Sequence, residues 1–378
     1  MAAREIGVGV IGFGLGGRVF HAPFVSAVPG LKLVSILQRK GYEAARAYPS
    51  ARIDRSLDEM LADKSIELIV LSTPNETHLS LATRALEAGK HVVIDKPFTA
   101  TSADAVTLID LAKRKGVHAI PFHNRRWDGD FLTVKKLLAE NAVGRLVTFE
   151  SHFDRFRPTP RENTWKEAGD PSHGMLFDLG PHLVDQARVL FGAPATITAS
   201  VRADRDVTDV EDAFDITLHY SPGDDLQGSA RAPNGKGLLV HCRTSYLACI
   251  NAPRFTLHGT SGSFVKFGLD PQEPALVAGA KVPRLQPGSP ESDAWLEEKE
   301  SEWGKLAVAP NPTDPTTLVE KQVRTLPGDY RSFYANVRDS ILGTAPLAVT
   351  PQAGYQVARL LELARESSAK GCTLKVEF

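Results

Sequence analysis

IGVGVIGFGLGG, residues 6–17, governs how the rest of the chain is read. Its first six residues, isoleucines and valines spaced by glycine, form a run suited to a strand buried on both faces. Directly behind it, Gly12, Gly14 and Gly17 make the pattern G-x-G-x-x-G where a helix should begin. In that setting each glycine has its own task. The first makes the tight turn, the second lets the backbone approach a pyrophosphate, and the third lets helix and strand pack closely. The open N–H groups and the positive end of the helix then hold the diphosphate. A glycine-rich turn without nucleotide is the alternative, and the strand-then-helix context argues against it. Phe13 and Gly16 lie in the same turn and join the three glycines as cofactor-binding candidates.

Outward from this stretch, apolar runs recur at residues 31–37, 66–72, 91–94 and 117–121. Helical patterns separate them. Leu79, Ala82 and Leu86 share a period that Gly89 stops, and residues 102–115 are capped by Thr101 or Ser102 and ended by Gly116. Strand and helix in alternation predict a doubly wound parallel sheet, a Rossmann domain over residues 1–123. The texture then changes. A helical segment at 128–140, a strand at 146–154 and a helix near 175–191 precede β-like runs from 195 to 270. Residues 271–328 are proline-rich and read as loops around that sheet, and a closing helix at 352–369 is marked by Val357, Leu360, Leu361 and Ala364. Residues 124–378 are therefore expected to form a second α/β domain, substrate-binding and oligomerising, with a large, mostly antiparallel open sheet.

The 378 residues suit two domains, and 42% apolar with 24% charged residues excludes a disordered chain. Lys and Arg number 44 against 45 acidic residues, so no global field exists for nucleic acid or an anionic membrane, and the expected partner is a small molecule. Three cysteines are too few for a disulfide framework. No apolar stretch approaches the roughly 18–20 residues of a membrane span, and the N-terminus lacks a signal-peptide pattern. A cytoplasmic location is the expectation.

A site that prefers NAD places an acid after the second strand to bind the ribose 2′-OH. Here Gln38, Arg39 and Lys40 stand there. A guanidinium pairs with a 2′-phosphate and stacks on adenine, so NADP(H) is preferred and NAD(H) stays open. Ser72, Thr73, Pro74 and Asn75 follow the third apolar run, and Asp95, Lys96 and Pro97 follow the fourth. Both loops lie at carboxyl ends of strands, where such sheets bind ligands.

Hydride transfer from a carbinol also needs a group that takes the hydroxyl proton, which a histidine does well near neutral pH. HGMLFDLGPHLVDQ, residues 173–186, supplies Asp178 and His182 four apart, with Pro181 starting or bending the helix between them. Lys96 is the candidate cation for the developing alkoxide. Metal binding by His173, Asp178 and His182 matches no zinc spacing, so no metal is expected. Asn124 and Arg125 are candidates for cofactor or substrate hydroxyls, Arg126 for a salt bridge, and Trp127 for an apolar wall. Arg155, Arg157 and Trp165 stand as substrate-side candidates, with ordinary loop roles equally open.

The GFGLGG turn, TPNETH at 73–78, EAGKHVVIDKPF at 87–98 and DLGPHLVDQ at 178–186 resemble, in that order, the Gfo/Idh/MocA oxidoreductase family. HAPF at 21–24, FHNRRWDGDF at 122–131 and ESHFDRFRP at 150–158 are similar to its NADP-dependent scyllo-inositol dehydrogenase-like subgroup. The resemblance implies that Lys96, Asp178 and His182 form the catalytic group, with His182 as acid/base and the other two orienting the hydroxyl. It implies cofactor contacts from the segment ending in His78, a cis bond before Pro97, and a homodimer or homotetramer. Asp95 replaces the commoner glutamate of that motif. The expected activity is NADP(H)-dependent oxidoreduction of a cyclic polyol or sugar. An NAD-dependent glycosidase using transient oxidation and a nucleotide-sensing regulator are the alternatives.

Overall fold

A parallel sheet grows from the N-terminal run. In the computed structural model, which describes residues 4–161, 164, 167, 169, 172–221, 237–286, 295–311, 314 and 317–378, six strands take part. They are β1 (Ile6–Ile11), β2 (Leu31–Leu37), β3 (Arg52–Asp54), β4 (Leu68–Leu71), β5 (His91–Ile94) and β6 (Ala119–Pro121). Their order is β3-β2-β1-β4-β5-β6, with every neighbouring pair parallel. The chain reverses its direction of travel across the sheet between β1 and β4, the place where such sheets bind ligands. The short β3 was not anticipated, because Arg-Ile-Asp offers no apolar run. It is held instead by polar bonds, with Ser35 and Arg52 both donating to the Asp54 carboxylate.

Side chains alternate between the two faces of β4. Ile69 and Leu71 join Val92 and Ile94 beneath the helices His78–Glu87 and Ser102–Lys115, which contribute Ala82, Ala85, Leu86, Leu108 and Leu111. Thr101 caps the second of these by accepting from the Asp104 amide at 3.1 Å, and Gly116 ends it at φ +68°, as anticipated. Leu68 and Val70 point to the other face with Val8 and Val10, where Phe24 and Val25 cover them. That second face is completed from far along the chain by Leu276, Tyr330, Phe333, Tyr334, Val337 and Val349. The compact units are accordingly interleaved in sequence. One comprises residues 1–127, 271–296 and 329–358, and the other 128–270, 297–328 and 359–378. The helix Arg331–Ile341 was not anticipated, although Phe333, Tyr334, Val337 and Ile341 follow the period of an amphipathic helix.

The second unit is built on nine strands: β7 (Leu146–His152), β8 (Thr196–Arg202), β9 (Ala213–Tyr220), β10 (Leu238–Ser245), β11 (Phe255–Gly259), β12 (Gly262–Lys266), β13 (Gly304–Val308), β14 (Val319–Val323) and β15 (Leu374–Lys375). The order is β14-β13-β12-β11-β7-β10-β9-β8-β15, and among the described residues of this sheet only β7 and β10 pair in parallel. Where loops were expected over 271–328, the structure has the helix Gln272–Val277 and the strands β13 and β14. The edge strand β14, Val-Glu-Lys-Gln-Val, is mostly exposed and carries no apolar signal. Phe214, Ile216 and Leu218 of β9 are buried, as are Leu183, Val184, Ala187 and Phe191 of the helix Gly180–Phe191, whose Phe191 ring lies 5.1 Å from that of Phe149. On β9, Asp215, Thr217 and His219 alternate with the buried positions. Thr217 bonds His241, His219 bonds Thr198, and Asp215 accepts from Arg202 and Arg243. Among the described residues no helix is long and apolar enough to cross a membrane.

Candidate active site

The glycines of the first turn divide their work in the way a dinucleotide requires. Gly12 sits at φ +96°, and a Cβ there would collide with the Ser72 carbonyl; one at Gly17 would collide with the Gly12 carbonyl. At Gly14 a Cβ would meet nothing within 4 Å. The middle position is thus open, while its neighbours are closed by backbone. Open space at the middle glycine is what close approach of a diphosphate would need. Gly17–His21 then forms a π-helical turn running into the helix Ala22–Ala27. Phe13 packs edge-on against Tyr48 at 6.0 Å, and burial raises the Tyr48 phenol to about 12.

The loops after β4 and β5 meet beneath this turn. His78, fully buried, places Nδ1 2.9 Å from the Pro97 carbonyl and Nε2 3.0 Å from the Thr73 carbonyl, so its ring ties the two loops together. Burial lowers its pKa. Thr77 adds a bond to the Thr73 hydroxyl at 2.7 Å, and Asn75 is buried at the start of a short helical turn. The Lys96–Pro97 bond is cis. The Asp95 carboxylate accepts from the Lys96 amide at 2.8 Å, from the Ser72 hydroxyl at 3.3 Å and from His21 Nε2 at 3.2 Å. A Cβ at Gly16 would collide with Ser72 Oγ and stand 2.9 Å from Asp95 Oδ2. Sequence reasoning assigned no role to His21, although its place four residues after Gly17 puts it on the same helical face.

At the end of β2, Gln38 is half-buried and clipped to the helix Glu43–Ala47. Its Oε1 accepts from the Ala44 amide at 3.0 Å, and its Nε2 donates to Glu43. Arg39 and Lys40 are exposed. Arg55, a second residue not anticipated, donates to the carbonyls of Gln38 and Gly41 and so adds a third cation to this loop.

Residues Asn124–Trp127 form a short helical turn. Asn124 is buried. Arg125 is engaged by Glu273 and stands 3.5 Å from the Tyr330 hydroxyl. Trp127 packs edge-on against Phe333 at 5.8 Å. Arg126, expected in a salt bridge, donates to the Ala348 carbonyl at 2.6 Å.

In the second unit, Asp178 closes the short helix Met175–Asp178 and His182 lies in the first turn of Gly180–Phe191. The break at Leu179 precedes Pro181, whose missing N–H is harmless there. Gly180 is required because a Cβ would approach Leu361 to 2.8 Å. His182 is 6% exposed, and the half-buried Asp178 lines a recess with Glu167, Arg205, Glu211 and Tyr246. Arg205 is locked between Asp212 at 2.7 Å and Glu167 at 3.0 Å, with its guanidinium 5.0 Å from the Tyr246 ring centre. Arg157 lies at the same distance from that ring. Arg155 stands 5.5 Å from the Phe153 ring. Trp165 lies outside the described residues. Arg205, Glu211 and Tyr246 carry no sequence signal, since each becomes local to Asp178 only through the fold. Among the described residues no cluster fit to hold a metal was found.

A 3-2-1-4-5-6 parallel sheet with a glycine-rich first turn is the architecture of a dinucleotide-binding domain. The chain belongs to the Gfo/Idh/MocA oxidoreductase family. Residues 6–123 match that family's NAD-binding Rossmann fold, and residues 135–377 match its C-terminal alpha/beta domain. It is 39% identical over 370 residues to the oxidoreductase YdgJ of Escherichia coli, covering 98% of each chain. It is 36% identical over 377 residues to the NADP(+)-dependent scyllo-inositol 2-dehydrogenase IolW of Bacillus subtilis, covering 98% of this chain and 96% of that one. The solved structure of the yvaA oxidoreductase of Bacillus subtilis matches with a TM-score of 0.87 at 34% identity, over 99% of both chains.

Proposed function

We propose that the protein is an NADP(H)-dependent dehydrogenase or reductase acting on a cyclic polyol or sugar. The observation that carries this reading is the lysine at the carboxyl end of β5, whose backbone amide donates to Asp95, the carboxylate that lies against Gly16 of the glycine turn. A bound nicotinamide supplies or takes up the hydride. Lys96 donates a hydrogen bond to the substrate oxygen and offsets the negative charge that grows there. His182 accepts the hydroxyl proton during oxidation and returns it during reduction, and Asp178 orients the hydroxyl. The NADP preference is supported by Arg39, Lys40 and Arg55 around the loop after β2, and by the cofactor named for the IolW relative.

The test is a 340 nm absorbance screen of inositols and aldoses, run in both directions with NADP(H) and NAD(H). Turnover with a cyclic polyol or sugar, faster with the phosphorylated cofactor, is the expected result. Absence of turnover across the panel with both cofactors overturns the reading. The same reading assigns the chain to the cytoplasm as a homodimer or homotetramer, and light scattering of the purified protein measures the latter.

A further inference from the structure

We propose that Tyr334, His21 and Asp95 form a buried hydrogen-bond relay that positions Lys96, making His21 and Tyr334 positioning residues for the reaction. The inference rests on Lys96 acting as proposed above. The chain of contacts is continuous. The Tyr334 hydroxyl lies 2.6 Å from His21 Nδ1, His21 Nε2 lies 3.2 Å from Asp95 Oδ2, and Asp95 Oδ1 accepts the Lys96 amide at 2.8 Å.

The link to Asp95 requires a proton on His21 Nε2. Burial raises the Tyr334 phenol well above its usual range, so it keeps its proton at the hydrogen bond with Nδ1. The imidazole donates from Nε2, and Asp95 accepts on both oxygens. Burial works against the charge on Asp95. The bond from His21 and the charges of His21, Lys96 and His78 nevertheless hold its pKa below the usual carboxylate range. Those three groups, with the Tyr334 phenol, are the titratable groups facing it, and Ser72 adds a neutral donor.

His21 and Tyr334 are completely buried, and neither reaches the open turn at Gly14 as a ligand contact would. The Phe122 ring packs on His21 at 4.3 Å with a 48° tilt and restrains the imidazole. Gly16 matters for the same reason, since any side chain there would push into Ser72 and Asp95. The relay thus sets the geometry of the lysine from behind, through its own backbone.

His21→Leu keeps the bulk and removes both polar contacts, whereas His21→Gln restores a donor toward Asp95. Without the His21 donor, Asp95 keeps only the Ser72 hydroxyl and the Lys96 amide, its pKa rises, and the acid limb of the kcat profile moves to higher pH. The expected result for His21→Leu is a kcat reduced about tenfold to a hundredfold, with faster hydrogen exchange at the Lys96 amide of the cofactor-free protein. NADPH affinity stays near that of the parent, and His21→Gln recovers most of kcat. A folded His21→Leu with unchanged kcat profile and unchanged Lys96 amide protection overturns the relay, as does a Gln variant no better than Leu. Should His21→Leu fail to fold, Tyr334→Phe decides, since it keeps the ring and deletes only the hydroxyl. A smaller kcat loss with the same direction of pH shift supports the relay, and an unaltered profile overturns it. If Lys96→Ala itself retains turnover, the functional reading fails, and the exchange measurement still decides the relay.

Discussion

In the proposed reaction Lys96 and His182 do different things from the residues that would hold the adenosine end, so their removal should separate chemistry from binding. Lys96→Ala and His182→Ala should each lower kcat by roughly a hundredfold to ten-thousandfold, with NADPH affinity changed by less than about threefold. Stopped-flow turnover and fluorescence titration measure the two quantities. Loss of binding with retained turnover would reverse the assignment. Arg39 lies on the other side of that division. A charge-assisted bond to a phosphate is strong, so Arg39→Asp should weaken NADPH about tenfold to a hundredfold and NADH little. Equal losses for both cofactors would remove the 2′-phosphate from the account. Glu43 sharpens this test, because its carboxylate bonds Gln38 at the same loop.

The phosphate-binding element offers a cleaner dissection, since its glycines are required for different physical reasons. Gly14→Val puts its side chain into open space, so the cofactor-free protein should melt within about 1 kcal/mol of the parent while NADPH binding is lost. Gly17→Ala drives a methyl into the Gly12 carbonyl and should cost about 1–3 kcal/mol of stability before any ligand is added. Thermal melts with and without NADPH distinguish the two. This element was legible in the sequence because its chemistry is local: one strand, one turn, three glycines. The loops after β4 and β5 were legible for the same reason, by position at strand ends. His21, Tyr334 and Arg205 were not, because each gains its meaning from a partner brought in by tertiary folding. The strands β3 and β14 were missed for a related reason, as polar segments held by neighbouring strands rather than by a hydrophobic run of their own.

At the scale of the whole molecule, the N-terminal segment of the first unit borrows much of one core face from that unit's later segments, residues 271–296 and 329–358. Phe333 packs on Phe122, Trp127 and Tyr334 and is almost fully buried. Phe333→Ala should therefore cost about 3–5 kcal/mol, lowering the chemical-denaturation midpoint although position 333 lies some two hundred residues beyond β6. Residues 4–127 expressed alone should show no cooperative melt. A sharp transition from that fragment would mean that the parallel sheet is self-sufficient.

The borrowed face also has a consequence for biosynthesis. A ribosome delivers β6 long before it delivers the aromatic residues that seal the sheet above it. At about 5–20 residues per second, the 222 residues from Trp127 to Val349 take roughly 10–45 s to emerge. For that interval the nascent sheet has Val8, Val10, Leu68 and Val70 with part of their covering still unsynthesised. Translation speed along this stretch, and the holding chaperones present during it, should therefore govern the yield of native protein more than they do for chains whose nucleotide domain is finished when its last strand leaves the tunnel.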